Sequence, residues 1–123
     1  MRHFLLAALA VLMVVGNAVT QNVPVPHIIT ATVATSGTPV QFIKTSPTYA
    51  TWATVQAPQT NTGTVCFGNS SVKASTNNGT CLSAGTSGPL GPLSGQIYSP
   101  YDLSQWWVDS TVNGQGVVIT YVR

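Results

Sequence analysis

Outside the first few residues, the side chains able to move a proton near neutral pH are Asp102, Asp109 and His27. Acid–base catalysis usually works through two ionisable groups whose pKa values are pushed apart. Asp102 and Asp109 stand seven positions apart in a segment that reads as extended. Fully extended, that separation is roughly 23 Å at about 3.3 Å per residue. A glycosidase pair sits about 5–9.5 Å apart, so the two aspartates do not read as one. Asp102, ahead of Leu103-Ser104, reads as a turn or cap residue. Asp109 reads as an acceptor for backbone amides of the turn that follows it. A calcium loop on Asp109 and Asn113 lacks the ligand density of known loops. A serine triad would have to recruit His27, which reads as an exposed linker residue beside Pro26, and no Gly-x-Ser-x-Gly elbow is present. Gly114 and Gly116 lie in turn chemistry and not in a dinucleotide loop. The chain is therefore read as non-enzymatic, with no catalytic residue, metal or cofactor.

Cys66 and Cys81 are the only cysteines. Zinc would need further soft ligands, and beyond the N-terminal segment only His27 is left. In an oxidising compartment the pair is expected to form a disulfide. Closing a loop of this size stabilises by about 3 kcal/mol in the chain-entropy model. The alternative is two unpaired thiols in a cytosolic product.

Charged residues make up 5% of the chain, and there is no Glu. Ordinary globular composition is about 25% charged. So few cations exclude a basic nucleic-acid surface. Disorder is also excluded, because it pairs low hydrophobicity with high net charge. Ser, Thr, Asn, Gln and Gly must solubilise this surface, with little charge to keep copies apart. That is compatible with assembly or with extracellular life, and equally with a merely neutral surface.

These residues need elements to hold them. Residues 1–18 read as a signal peptide: Arg2, an apolar run over 4–15, then small residues with cleavage after Ala18. The alternative is an uncleaved hydrophobic anchor helix, the one route to membrane contact. Residues 19–27, with Pro24 and Pro26, read as an extended linker. Residues 28–123 read as one all-β domain. Strands are expected over 28–34, 40–43, 49–57, 64–67 and 71–74, separated by Gly, Pro and Asn punctuation. Residues 83–95 read as a loop and as the place where the chain crosses between sheets. No window after residue 18 keeps a helical period. The expected architecture is a small antiparallel β-sandwich, jelly-roll-like, preceded by the N-terminal hydrophobic helix.

Residues 101–122 read as one β-hairpin, an aromatic and β-branched run meeting Asn113-Gly114 and a second β-branched run. Alternation puts Trp106 with Val108, and Trp107 with Asp109. A buried unpaired carboxylate is costly, so Trp106 is assigned to the core and Trp107 to the outer face. There Trp107 meets a covering loop, another protein chain or a sugar. After the turn, Val117, Ile119 and Tyr121 are assigned inward.

Two stretches carry a resemblance. One is 61–72, Asn-Thr-Gly-Thr-Val-Cys-Phe-Gly-Asn-Ser-Ser-Val. The other is 102–109, Asp-Leu-Ser-Gln-Trp-Trp-Val-Asp, followed by Val112-Asn113-Gly114-Gln115-Gly116-Val117 and Tyr121. Together they resemble a group of small β-sandwich proteins among the virion structural genes of tailed bacteriophages, over residues 61–122. The resemblance implies a strand, a tight Gly turn and a second strand in the first stretch, and no catalytic residue. The chain departs from the group in its signal-like N-terminus, its cysteine pair and its longer 83–95 loop. Those departures favour an exported protein, periplasmic or extracellular, or one anchored by its N-terminal helix.

Two functions are expected from these readings. The first is a structural protein of a phage particle, as decoration or a minor capsid or appendage component, or an exported relative that forms oligomers. Its partners would be itself or a virion shell protein. The second is a secreted carbohydrate- or surface-binding module. The candidate interaction surface is Trp107, Tyr98 and Tyr101.

Overall fold

The structure, a computed structural model, describes residues 23–44, 47–91 and 100–123. The expected helix at 1–18 lies outside them, as do residues 19–22 of the linker. The described residues form ten strands: β1 (His27–Val33), β2 (Val40–Gln41), β3 (Tyr49–Ala50), β4 (Trp52–Gln56), β5 (Val65–Gly68), β6 (Thr80–Leu82), β7 (Ser87–Pro89), β8 (Tyr101–Asp102), β9 (Trp107–Ser110) and β10 (Gln115–Val122). Two single 3-10 turns, Ala74–Thr76 and Leu103–Gln105, are the only helical pieces among them. The described residues are all-β, as the sequence predicts for them.

Two four-stranded antiparallel sheets lie against each other. The first has the order β1-β10-β4-β7 and the second β2-β9-β5-β6, while β3 and β8 form a two-stranded ribbon. The reason is alternation. In β1, Ala31 and Val33 are buried while Thr30 and Thr32 are exposed. In β10, Val117, Ile119 and Tyr121 are buried, as assigned from the sequence, and the residues between them are half-buried. The inner face of the first sheet carries small residues, Ala31, Ala53 and Val55, and the second sheet supplies Phe67 and Val108. Phe42, Phe67 and Trp106 pack ring against ring, with centroids 6.0–6.4 Å apart. Large groups meeting small ones let the two faces close at interior packing density.

Residues 101–122 are not a hairpin. β9 belongs to the second sheet and β10 to the first, and neither pairs with the other. The Asn-Gly turn lies outside any two-strand ladder. The Gly114 amide donates to the Val33 carbonyl of β1 at 2.8 Å, and the Asn113 side chain accepts from the Ser36 amide at 2.7 Å. The two turn residues bond to the end of β1 and to the loop after it, so the segment arches from one sheet to the other. Burial on both sides of the core outweighs the local turn signal.

Two further expectations change. The strand expected at 71–74 is absent: β5 is followed by an excursion over residues 69–79 that contains the Ala74–Thr76 turn, and its partner is β6. The segment 83–95 does cross between sheets, between β6 and β7, but it also contains β7, which adds an edge to the first sheet. Pro89 is tolerated there because an edge strand has one side without a ladder.

Cys66 and Cys81 face each other across β5 and β6 and are bonded, with Cα atoms 4.0 Å apart. Cys66 is fully buried and Cys81 partly. Gly116 marks a close crossing: a Cβ there would run into the Ala31 carbonyl oxygen. The Gly116 carbonyl in turn accepts from the buried Asn61 side chain at 2.9 Å.

Trp106 is 5% exposed, whereas Trp107 is half-buried and packs on Cys66, Val72 and Ala74. Replacing Trp106 with Ala is expected to cost about 3–5 kcal/mol. Trp107→Ala should cost clearly less, since part of its ring already meets water. Chemical denaturation of the two variants checks this; equal losses would refute the assignment of Trp106 to the core.

Candidate interaction surface

The three ionisable residues of the sequence reading do not converge on a site. Asp109 is fully buried. One carboxylate oxygen accepts from the Gly37 amide at 2.9 Å, the other from the Ala74 amide at 2.8 Å. The sequence reading has Asp109 accepting backbone amides; the donors are two distant segments and not its own turn. Gly37 can present its amide because its φ is +80°, which a side chain would disfavour. The Thr38 amide closes the same turn on the Thr35 carbonyl at 3.1 Å. Asp109 thus ties together β9, the β1–β2 turn and the excursion over 69–79.

Asp102 caps the Leu103–Gln105 turn. One of its oxygens accepts from the Ser104 amide at 2.9 Å and the Thr48 amide at 3.0 Å. Burial pushes its carboxyl pKa up. Hydrogen bonds from Ser104, Thr48 and Gln105 outweigh that and hold it below the ordinary carboxylate value. His27 opens β1 instead of closing the linker. It is exposed, with its ring stacked at 5.2 Å on Tyr121. Among the described residues, no three of His, Cys, Asp and Glu come close enough to hold a metal ion.

The residues proposed from sequence for contact are dispersed. Tyr98 lies outside the described residues. Tyr101 is half-buried in the ribbon, its hydroxyl donating to the Thr51 carbonyl at 3.5 Å. Trp107 is on the outer face of the second sheet, but the excursion over 69–79 folds onto that face. Val72 and Ala74 pack there on Cys66, and Trp107 and Cys81 border them. The excursion is thus the covering loop expected beside Trp107, which stays half-buried.

The outer face of the first sheet has no such cover among the described residues. One cross-strand row is Ile28, Thr120, Thr54 and Pro89, and the next is Thr30, Val118, Gln56 and Ser87. Val122 and Trp52 form a third row. None of these side chains is charged. Trp52 is 50% exposed and Ile28 69%. Tyr49, on the adjoining ribbon, is 55% exposed. Trp52 and Tyr49 are the open aromatics that the sequence reading missed. Trp52 follows Thr51 in an Ala/Thr-rich strand, and only the pairing of Trp52 with Val122 shows that it faces outward. The reading assigned the outer Trp within the Trp106-Trp107 pair correctly, but its sheet is the covered one.

The described residues thus form an all-β unit with one face covered by its own chain and the other an uncharged, largely β-branched surface. Comparison with family models, with curated proteins and with solved structures gives no match.

Two outcomes follow for the carboxylates. Asp109→Asn replaces one acceptor oxygen with an NH2 group that faces a backbone donor. A buried donor left unsatisfied costs about 1–3 kcal/mol, so chemical denaturation should show a loss of that size; an unchanged midpoint would refute the clamp. For Asp102, a folded pKa lowered below the unfolded value adds stability that is present above about pH 4 and is lost as pH falls through the lowered value. The stability gap between the wild type and Asp102→Asn should therefore narrow on acidification below about pH 4. A gap that widens there would contradict the direction of the shift.

Proposed function

We propose that this chain is a non-enzymatic structural protein that assembles through the outer face of its first sheet. Its setting would be a phage particle, as decoration or a minor capsid or appendage component, or an exported relative of such a protein. The observation that carries this reading is the uncharged face itself: three cross-strand rows without a Lys, Arg or Asp. Such a face brings no like-charge repulsion when copies meet, and its β-branched residues need little reorganisation to be buried.

The strand order supports the same reading. Numbered along the chain, the eight strands of the two large sheets (β1, β2, β4, β5, β6, β7, β9, β10) run 1-8-3-6 and 2-7-4-5. That is the winding of a jelly roll, two interleaved Greek keys, an architecture used by viral capsid and lectin domains. Fold alone does not assign function, so the weight rests on the face. The disulfide supports export, since such bonds persist in oxidising compartments. The resemblance over residues 61–122 points the same way.

A second reading has its own observation. Tyr49 on the ribbon and Trp52 at the start of β4 are both at least half exposed, in strands separated only by Thr51. Open aromatic rings with a polar edge suit stacking on a sugar, which makes a secreted carbohydrate-binding module the alternative.

One comparison separates the two. Contacts between exposed charges weaken with ionic strength, because the screening length falls to about 3 Å at 1 M salt. An assembly built on apolar area and on hydroxyl, amide and backbone hydrogen bonds should persist. Sedimentation of the purified chain is expected to show oligomers at low salt and at 1 M. A strict monomer at both would sink the assembly reading. Retention on a glycan column, lost in Trp52→Ala, would then establish the second. An oligomer that dissolves in salt would keep assembly but refute this physical basis.

A further inference from the structure

Each large sheet ends in two edge strands, and the four edges are unlike. In the second sheet, β2 is two residues long and follows Pro39, and β6 is three residues long. In the first sheet, β7 has three residues and ends in Pro89. Short strands and proline are among the devices that keep a sheet from templating another chain. β1 has neither. It runs for seven residues, His-Ile-Ile-Thr-Ala-Thr-Val, with no Pro, Lys or acidic residue. Among the described residues it pairs with β10 on one side only. Along its free side every second residue turns its N–H and C=O away from β10.

We propose that β1 is the contact through which two copies of this chain pair, antiparallel and edge to edge about a two-fold axis at Thr30, joining their first sheets into one of eight strands. This rests on the assembly reading above and names its first contact. The occupant follows from the strand itself. Thr30 is the middle of seven residues, so only a register centred there lets all seven pair with themselves. In that register Thr30 meets Thr30 of the second copy, a favourable cross-strand combination. Ile28 meets Thr32 and Ile29 meets Ala31. No charge faces a charge anywhere along the seam.

The same features limit the contact. Pro26 has no amide hydrogen to donate, so pairing stops at His27. The far edge of the enlarged sheet is β7 in both copies, which is blunted. An isologous pair of this kind closes at two and does not propagate as a fibre. The dimer would carry two uncharged outer faces side by side, doubling the surface offered to a larger assembly.

The test uses the full chain and three substitutions at exposed positions: Thr30→Lys, Thr30→Cys and, in the same outer-face row two strands away from the edge, Gln56→Cys. Thr30→Lys sets two ammonium groups against each other on the axis. Sedimentation should show the dimer weakened about tenfold or more, a change of about 1.4 kcal/mol, with partial recovery in 1 M salt. Under a mild oxidant, Thr30→Cys should give a covalent dimer at protein concentrations where Gln56→Cys stays uncrosslinked; crosslinking of both alike would point to face-to-face contact and overturn the edge. If the wild type is oligomeric, Thr30→Lys leaves it intact and Thr30→Cys does not crosslink, the edge contact is overturned while the assembly reading stands. A wild type that is strictly monomeric overturns both. Circular dichroism and the denaturation midpoint of Thr30→Lys show whether any loss of dimer comes instead from unfolding of the strand. Should that variant prove unfolded, the crosslinking result decides.

Discussion

The carboxylate of Asp109 is the constraint on which one end of this molecule depends. A fully buried charge is tolerated only when its hydrogen-bonding capacity is met. Among the described residues no cation meets it: backbone amides from Gly37 and Ala74 do, one on each oxygen. Those donors belong to the β1–β2 turn and to the excursion between β5 and β6. Around the same centre the Asn113 side chain accepts from Ser36, and the Gly114 amide reaches Val33. Three connections that are far apart in the chain are therefore held in one hydrogen-bonded knot. A neutral, isosteric side chain cannot accept from both directions, which is why this position calls for Asp.

Held in place by that knot, the excursion over 69–79 closes the outer face of the second sheet. The Cys66–Cys81 bond lies beneath it and fixes the two strands from which it springs. The chain thus spends one of its two carboxylates and both of its cysteines on sealing one side. The other carboxylate, Asp102, caps a turn and ties the ribbon to Thr48. Almost all of the polar chemistry with catalytic potential is used to hold loops.

What is left exposed among the described residues is the outer face of the first sheet, and its chemistry is of a different kind. Thr, Val, Ile and one Trp make a surface with area and backbone edges but no formal charge. Association on such a surface draws on apolar burial and hydrogen bonding, both short-ranged, and gains no long-range steering. Specificity must then come from shape and strand register. In the assembly proposed above, the unequal blunting of the four edges would supply that register, because pairing along β1 is open where pairing along β2, β6 and β7 is curtailed.

The alternation of apolar and polar residues was enough to place the chain in the all-β class and to locate β1, β5 and the inward set Val117, Ile119 and Tyr121. Cysteine count and loop length predicted the bond between Cys66 and Cys81, and the argument against a buried unpaired carboxylate put Trp106 in the core. These are local or compositional signals: a period of two, a pair with no competing ligand, a desolvation cost. Which strand pairs with which was not legible. The Asn113-Gly114 turn signal predicted a hairpin, yet β9 and β10 lie in opposite sheets, because each gains more by burying its apolar face against the shared core than the turn gains by closing. Nor could alternation tell that Asp109 would find its amides 35 and 72 residues away. The cover over Trp107 and the openness of Trp52 and Tyr49 follow from that same long-range packing. The sequence determined which faces must be buried; only the tertiary structure decided what each face is buried against, because that choice rests on contacts between residues distant in the chain.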